Sequence, residues 1–149
     1  MVFAAKRSRA QKPAIGSAEA FKRALLNAKS IAYSGEGASG VYFMGLLDRL
    51  GIAAEVNPKL KPLASSAVVP SVANGEVELA VISPPAILAE PGAELVGILP
   101  KELQHYVVYT AGVSAAAMEA DGAKDLLKYL TAPAAMPVMK AKGLEPVVP

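Results

Sequence analysis

The chain has 149 residues, 53% of them hydrophobic, with a formal net charge of +2 and no cysteine. That length suits one domain or little more, and the absence of any run of about 18 uninterrupted apolar residues makes the chain read as soluble and globular. The charge is too small to argue for nucleic acid, and without cysteine there is neither a disulfide nor a thiolate metal site.

The opening MVFAAKRSRAQK gathers Lys6, Arg7, Arg9 and Lys12. No apolar core of roughly 7–15 residues follows these cations, so the sequence as written shows no signal peptide. Nothing aromatic is interleaved with them, and they read as a solvated start rather than an arm for nucleic acid or acidic lipid. Residues 2–5 predict a short strand and residues 11–16 a turn with Pro13 and Gly16. Ser17 is a good N-cap for a helix over 18–28, with Phe21, Leu25 and Ala28 on one face. Residues 30–33 predict a strand and 34–38 a turn. A helix over 40–50 follows, because Phe43, Leu46, Leu47 and Leu50 recur at i, i+3, i+4 and i+7, and Gly51 stops it.

A short strand is expected over 59–63. Residues 65–74 look helical despite Pro70, which would cost about 3 kcal/mol in a helix interior unless the helix starts at Val69. Gly75 closes that segment. ELAVI, residues 78–82, reads as a buried strand between a glycine turn and Pro84-Pro85. Further strands are expected over 94–98 and over 106–113, YVVYTAGV, the longest β-rich run. Ala123, Leu126, Leu127 and Leu130 mark a helix over 121–131, and Pro133 suits the first position of a last helix. Alternating helices and strands imply an α/β fold with a partly parallel sheet.

The most informative stretch is residues 31–51, IAYSGEGASGVYFMGLLDRLG. A β-rich run ends in a glycine-rich turn, and a serine and a glycine then open an amphipathic helix. Such a layout points backbone N–H groups and a helix N-terminus at whatever lies above the turn, which suits an anion or a polar ligand. Catalytic patterns are weak. His105, beside Tyr106 and Tyr109, stands alone as a histidine and reads as a solvated loop residue; a protein-only metal cluster needs more ligands. Glu36, Glu76, Glu78, Glu90 and Glu94 are scattered, and no pair proposes acid–base work. There is no G-x-S-x-G elbow. GEGASG lacks the Lys-Ser/Thr end of a Walker A loop. Gly35, Gly37 and Gly40 match G-x-G-x-x-G, but no acid ends a second strand at the expected place. The residues thus favour binding over catalysis, with no cofactor and no metal implied.

The segments FKRALLNAKSIAYSGEGASGVYFMGLLDRLGI, ANGEVELAVI, ELVGILPKELQHYVVYTAGVS, AKDLLKYLTAPAA and KAKGLEPV, in that order, resemble the type 2 periplasmic solute-binding proteins of bacterial ABC transporters, in their molybdate-binding-like branch. The resemblance runs over residues 2–147. It implies two α/β lobes joined by crossover strands, with ligand in the cleft between them. On that pattern residues 2–16 are a first crossover strand and linker, 17–105 the second lobe (a mixed, mostly parallel sheet flanked by helices), and 106–149 a return crossover strand with two helices that pack on the first lobe. Most of that first lobe has no counterpart here, which makes the chain a truncated single domain.

The family grips an oxyanion with hydroxyls and N–H donors. The resemblance places Ser34 and Ala38 in the first turn of such a site, Ser39 and Gly40 where a helix opens, Ser65 and Ser66 at the next helix start, and Ser83 after ELAVI. Each serine has a plainer reading as a helix cap or strand end, and Tyr42 reads as packing. Pro70, Pro84-Pro85, Gly122 and Pro137 depart from the family pattern. The implied function is non-catalytic binding of a small solute, an oxyanion such as molybdate, tungstate or sulfate, with an ABC permease as partner. The alternative is an oligomeric interaction domain that kept the fold and lost the ligand. Without the first lobe, the apolar faces carrying Leu126, Leu127, Leu130, Val138 and Met139 are expected to drive self-association. The family is exported, whereas the chain, if complete, would stay in the cytoplasm.

Overall fold

The computed structural model describes residues 2–6 and 12–145, so the expectation for Arg7 and Arg9 lies outside the described residues. The chain forms two compact units, Met1–Val107 and Val108–Pro149.

In the first unit, five strands form one mixed sheet: β1 (Val2–Lys6), β2 (Ile31–Ser34), β3 (Leu60–Leu63), β4 (Leu79–Ile82) and β5 (Ala93–Ile98), in the order β3-β2-β4-β1-β5. β2 pairs in parallel with β3 and β4, whereas β1 runs antiparallel to β4 and β5. β1 alone therefore opposes the common direction, and the expected mixed, mostly parallel α/β sheet is present. All four residues of β4 are buried, as its uninterrupted apolar run requires of a central strand.

Side-chain alternation assigns the two faces. Ala5, Ile31, Leu79 and Val81 share a core with Phe21, Leu25, Phe43, Leu46 and Leu47 from α1 (Ala18–Asn27) and α2 (Ala38–Arg49). Their neighbours Val2, Ala4, Ala32, Ala80 and Ile82 share a second core with Val68, Val69 and Val72 of α4 (Ser65–Ala73) and Ile87 of α5 (Pro84–Leu88). The short α3 (Ala53–Val56) and a 3-10 turn, Asn57–Lys59, lead from α2 into β3. Ser17 caps α1, its Oγ accepting the Ala20 N–H at 3.2 Å. Gly51, at φ +66°, and Gly75, at φ +84°, supply the left-handed residues that end α2 and α4.

Several expectations need correction. Pro70 sits inside α4, which begins at Ser65 rather than Val69. The hydrogen bond it deletes belongs to the Ser66 carbonyl one turn earlier, and Ser66 is exposed, so water can replace the missing donor. Pro84-Pro85 does not merely bound β4; it opens α5, where prolines fit the first turn. The run 106–113 forms no strand. β-branched and aromatic residues favour a strand, but a ladder also needs a neighbouring backbone, and among the described residues none pairs with this run.

The second unit contains α6 (Ala120–Thr131), a 3-10 turn at Pro133–Ala135 and α7 (Met136–Ala141). Pro137 falls in the first turn of α7, so it breaks no helix interior, and Gly122 lies in the first turn of α6. Ion pairs Asp121–Lys124, at 3.0 Å, and Asp125–Lys128, at 3.1 Å, are exposed and contribute little to stability.

Phe21 is fully buried at the centre of the first core. Phe21→Ala should destabilise the protein by about 3–5 kcal/mol, read as a lowered urea midpoint at unchanged slope.

Candidate functional site

The strand order creates a crevice. From β2 the chain crosses through α2 to β3 on one side, and from β3 it returns through α4 to β4 on the other. β2 and β4 are neighbours whose following helices, α2 and α5, pack on opposite faces of the sheet. The carboxyl ends of such strands are where open α/β sheets bind ligands, because the connections that leave the two neighbouring strands diverge to opposite faces. Ser34 ends β2, Ser65 opens α4 just beyond β3, and Ser83 follows β4.

Ser34 is the hub. It is 1% exposed and points to the α4 side of the sheet, where its Oγ lies 2.6 Å from Ser65 Oγ. The Gly37 N–H donates to the same Ser34 oxygen at 3.1 Å, and the Gly35 N–H donates to the Leu63 carbonyl at 3.1 Å. The turn 34–37 is thereby tied to both β3 and α4. Its glycines have ordinary negative-φ backbones; Gly37, and Gly40 just beyond the turn, are there for space, whereas a Cβ on Gly35 would make only an ordinary contact with Pro62. A Cβ on Gly40 would overlap the Ser34 carbonyl, and a Cβ on Gly37 would come within 2.7 Å of Ser34 Oγ. Gly40 therefore lets the first turn of α2 lie directly on the end of β2.

The sequence-derived candidates fall into place unevenly. Ser34 and Ser65 touch. Ala38 and Ser39 are the first two residues of α2, ahead of the first helical hydrogen bonds, which the N–H groups of Gly40 and Val41 make to the Gly37 carbonyl. Their own N–H groups are thus available to a ligand. Ser39 does not cap α2, contrary to its plainer reading: Gly37 occupies the N-cap and offers no side chain. Ser65 and Ser66 are exposed residues in the first turn of α4, where they too are not caps; Ala64 holds that position. Ser83 stands at the N-cap of α5, partly exposed, with no capping bond from its hydroxyl. Tyr33 pairs with Val81, which sets Ser83 one residue above the level of Ser34, and no hydrogen bond joins the two.

Two residues of functional interest were not signalled as such by the sequence. Gly37 supplies an N–H to Ser34. Tyr42, read as packing, is a polar anchor: its O–H donates to the Leu103 carbonyl at 3.0 Å and accepts from Arg49 Nη2 at 2.7 Å. Its ring stacks on His105 at 4.4 Å, so His105 is a half-buried partner of α2 and not a solvated loop residue. Glu36, exposed between Gly35 and Gly37, is the titratable side chain of the turn. Among the described residues no group of His, Cys, Asp and Glu could hold a metal ion.

With this geometry in view, the chain belongs to the bacterial extracellular solute-binding protein family, whose model matches residues 1–145. A curated relative, aconitate isomerase of Pseudomonas sp., is 33% identical over 144 residues, which cover 96% of this chain and 55% of that protein. Two solved structures share the fold. One, described as the substrate-binding domain of a molybdenum ABC transporter from Clostridium difficile, gives a TM-score of 0.72 at 16% identity over 99% of this chain and 63% of that one. The other, the periplasmic molybdate-binding protein of Azotobacter vinelandii, gives 0.72 at 17% identity over 99% of this chain and 65% of that one. The chain thus spans a little over half of its curated relative.

Gly40→Ala tests the close approach of α2. Alanine gains about 1 kcal/mol in helix propensity, but the overlap with the Ser34 carbonyl should outweigh it and destabilise by about 3 kcal/mol in chemical denaturation. Tyr42→Phe removes two hydrogen bonds and leaves the Leu103 carbonyl without that donor; a loss of about 1–2 kcal/mol is expected by the same measurement.

Proposed function

We propose that this chain binds a small anionic solute at the carboxyl ends of β2, β3 and β4. The observation that supports the reading is that the segments opening at these strand ends carry neutral donors: the first-turn N–H groups of α2 at Ala38 and Ser39, those of α4 at Ser65 and Ser66, and the hydroxyls of Ser39, Ser65, Ser66 and Ser83. Helix N-termini stabilise negative charge without a neutralising cation, and none of these residues carries one. Gly40 and Ser34 shape this site from below, Ser34 as the buried acceptor of the Gly37 N–H. Membership of a solute-binding family and the molybdate-binding neighbours support an oxyanion such as molybdate, tungstate or sulfate as the solute, with an ABC permease as the partner of a transport role.

A second reading has its own support. The curated relative is named for aconitate, a tricarboxylate, and carboxylates suit the same donors. Isomerisation of that solute would move a proton from its methylene carbon to the alkene carbon, and Glu36 is the carboxylate of the turn able to accept and return it. The interaction-domain reading is the remaining alternative. Self-association belongs to it as a proposal: α6 buries none of its residues, and Leu126, Leu130 and Val138 stay exposed.

A thermal-shift screen with molybdate, tungstate, sulfate and aconitate separates these readings. A ligand at about 100 times its Kd adds about 2.7 kcal/mol, which should raise the Tm by several degrees. A rise with the inorganic anions supports oxyanion binding, and a rise with aconitate supports the carboxylate reading. Interconversion of aconitate isomers that vanishes in Glu36→Gln would establish catalysis. No shift with any of them, together with a concentration-dependent molar mass in light scattering, would leave the interaction domain.

A further inference from the structure

We infer that a groove at the amino ends of β2 and β4 is a second binding site, built for a small zwitterion: an α-amino acid with a compact apolar side chain. Ile31 and Leu79, the first residues of the two strands, pair there, so the groove lies at the opposite end of the sheet from the crevice at Ser34. The inference therefore does not rest on the anion reading. The groove has a volume of about 350 Å³, within the range of small-molecule sites. α1 forms one wall and residues 12–14 the other. The second wall is held at both ends, because Lys12 Nζ pairs with Glu94 Oε1 at 2.6 Å and Ile15 is buried in the first core.

Arg23 and Glu78, of opposite charge, line the groove from different elements. Arg23 is exposed and makes no hydrogen bond or ion pair among the described residues. Asn27 stands one turn further along α1, which puts its amide on the same face as the guanidinium. A guanidinium offers paired N–H donors that match a carboxylate. Glu78 sits just ahead of β4. Its N–H donates to Ser30 Oγ at 3.0 Å, and its Oε2 accepts the Lys29 N–H at 2.5 Å, so the carboxylate is fixed beside the carboxyl end of α1. A carboxylate accepts several hydrogen bonds at once, and the carboxyl end of a helix also favours a cation. Between the two charges, Ala24, Ala28 and Leu79 give an apolar floor.

Charge decides the ligand class. Lys12 is neutralised by Glu94, which leaves Arg23 and Glu78 as an opposed pair. A simple anion or cation is attracted by one of them and opposed by the other. A zwitterion is matched at both ends, its carboxylate at Arg23 and Asn27, its ammonium at Glu78, and its side chain on the alanine floor.

The test is a two-dimensional NMR titration of the isotope-labelled chain with leucine, N-acetyl-leucine and leucinamide, which differ in the charges they keep. Leucine should shift the amides of residues 27–29 and 78–79 along saturable curves. Each derivative should bind about tenfold more weakly, as loss of a charge-assisted contact does. Arg23→Ala should weaken leucine about tenfold and leave leucinamide, which has no carboxylate, unchanged. Glu78→Gln keeps an acceptor for the Lys29 N–H; it should weaken leucine and leave N-acetyl-leucine, which has no ammonium, unchanged. A merely structural role for either residue would move all three probes alike. Arg23 is exposed, so its replacement does not threaten the fold. No saturable shift with leucine, equal binding of the three probes, wild-type leucine affinity in Arg23→Ala, or shifts confined to residues 34–39, 65–66 and 83 would overturn the inference. Leucine binding in the groove by a chain that responds to no oxyanion or aconitate removes the anion reading alone; the reverse result removes this inference alone.

Discussion

The contact on which the first unit depends is the seating of α2 on the end of β2. Gly40 rests against the Ser34 carbonyl so closely that no larger residue fits. That approach turns the chain sharply from strand to helix and brings Phe43, Leu46 and Leu47 down onto the sheet. It also fixes where the N-terminus of α2 opens, beside the start of α4. Move α2 outward by the width of a methyl group, and core and crevice both change, because close-packed interiors have no slack to absorb the shift.

The electrostatics of the crevice follow from the same turn. Anions could be held by lysine or arginine, but Arg49 and Lys59 lie away from the turn and make other contacts. Arg49 is bonded to Tyr42 on the far part of α2, and Lys59 reaches the Leu26 carbonyl. What is left at the ends of β2 and β3 is a set of dipoles in fixed directions. Fixed dipoles need no reorganisation on binding, and they discriminate by geometry as much as by charge. Glu36 is the exception, and its exposure lets it turn into solvent.

Most of this architecture was legible in the sequence where one local signal was strong. Ser17 ahead of an amphipathic run, ELAVI between turn residues, and the i, i+3, i+4, i+7 set Phe43, Leu46, Leu47 and Leu50 each specified an element that is present. The candidate site was half legible. The glycine spacing of 35, 37 and 40 marked the place, but at Gly37 and Gly40 it reported a need for space rather than for unusual backbone angles, and Ser39, whose plainer reading was a cap, leaves that position to Gly37. The Ser34–Ser65 contact could not be read at all, since it joins residues 31 apart and depends on β2 and β3 aligning in parallel. The run 106–113 shows the opposite failure: propensity is local, whereas a ladder needs a second backbone.

β1 carries a consequence for how the molecule comes to be made. Among the described strands it comes first in sequence, yet it lies between β4 and β5, which begin at Leu79 and Ala93. During synthesis its apolar segment must wait for the last two strands of the sheet to emerge before both edges are covered. Non-local pairing of this kind slows folding, because the entropy of closing a long loop is lost before any contact repays it. In the interval, an unpaired apolar strand is open to association with other unfinished chains. The segment most exposed to such association is thus not the longest apolar run but β1, whose partners lie more than 70 residues further along the chain.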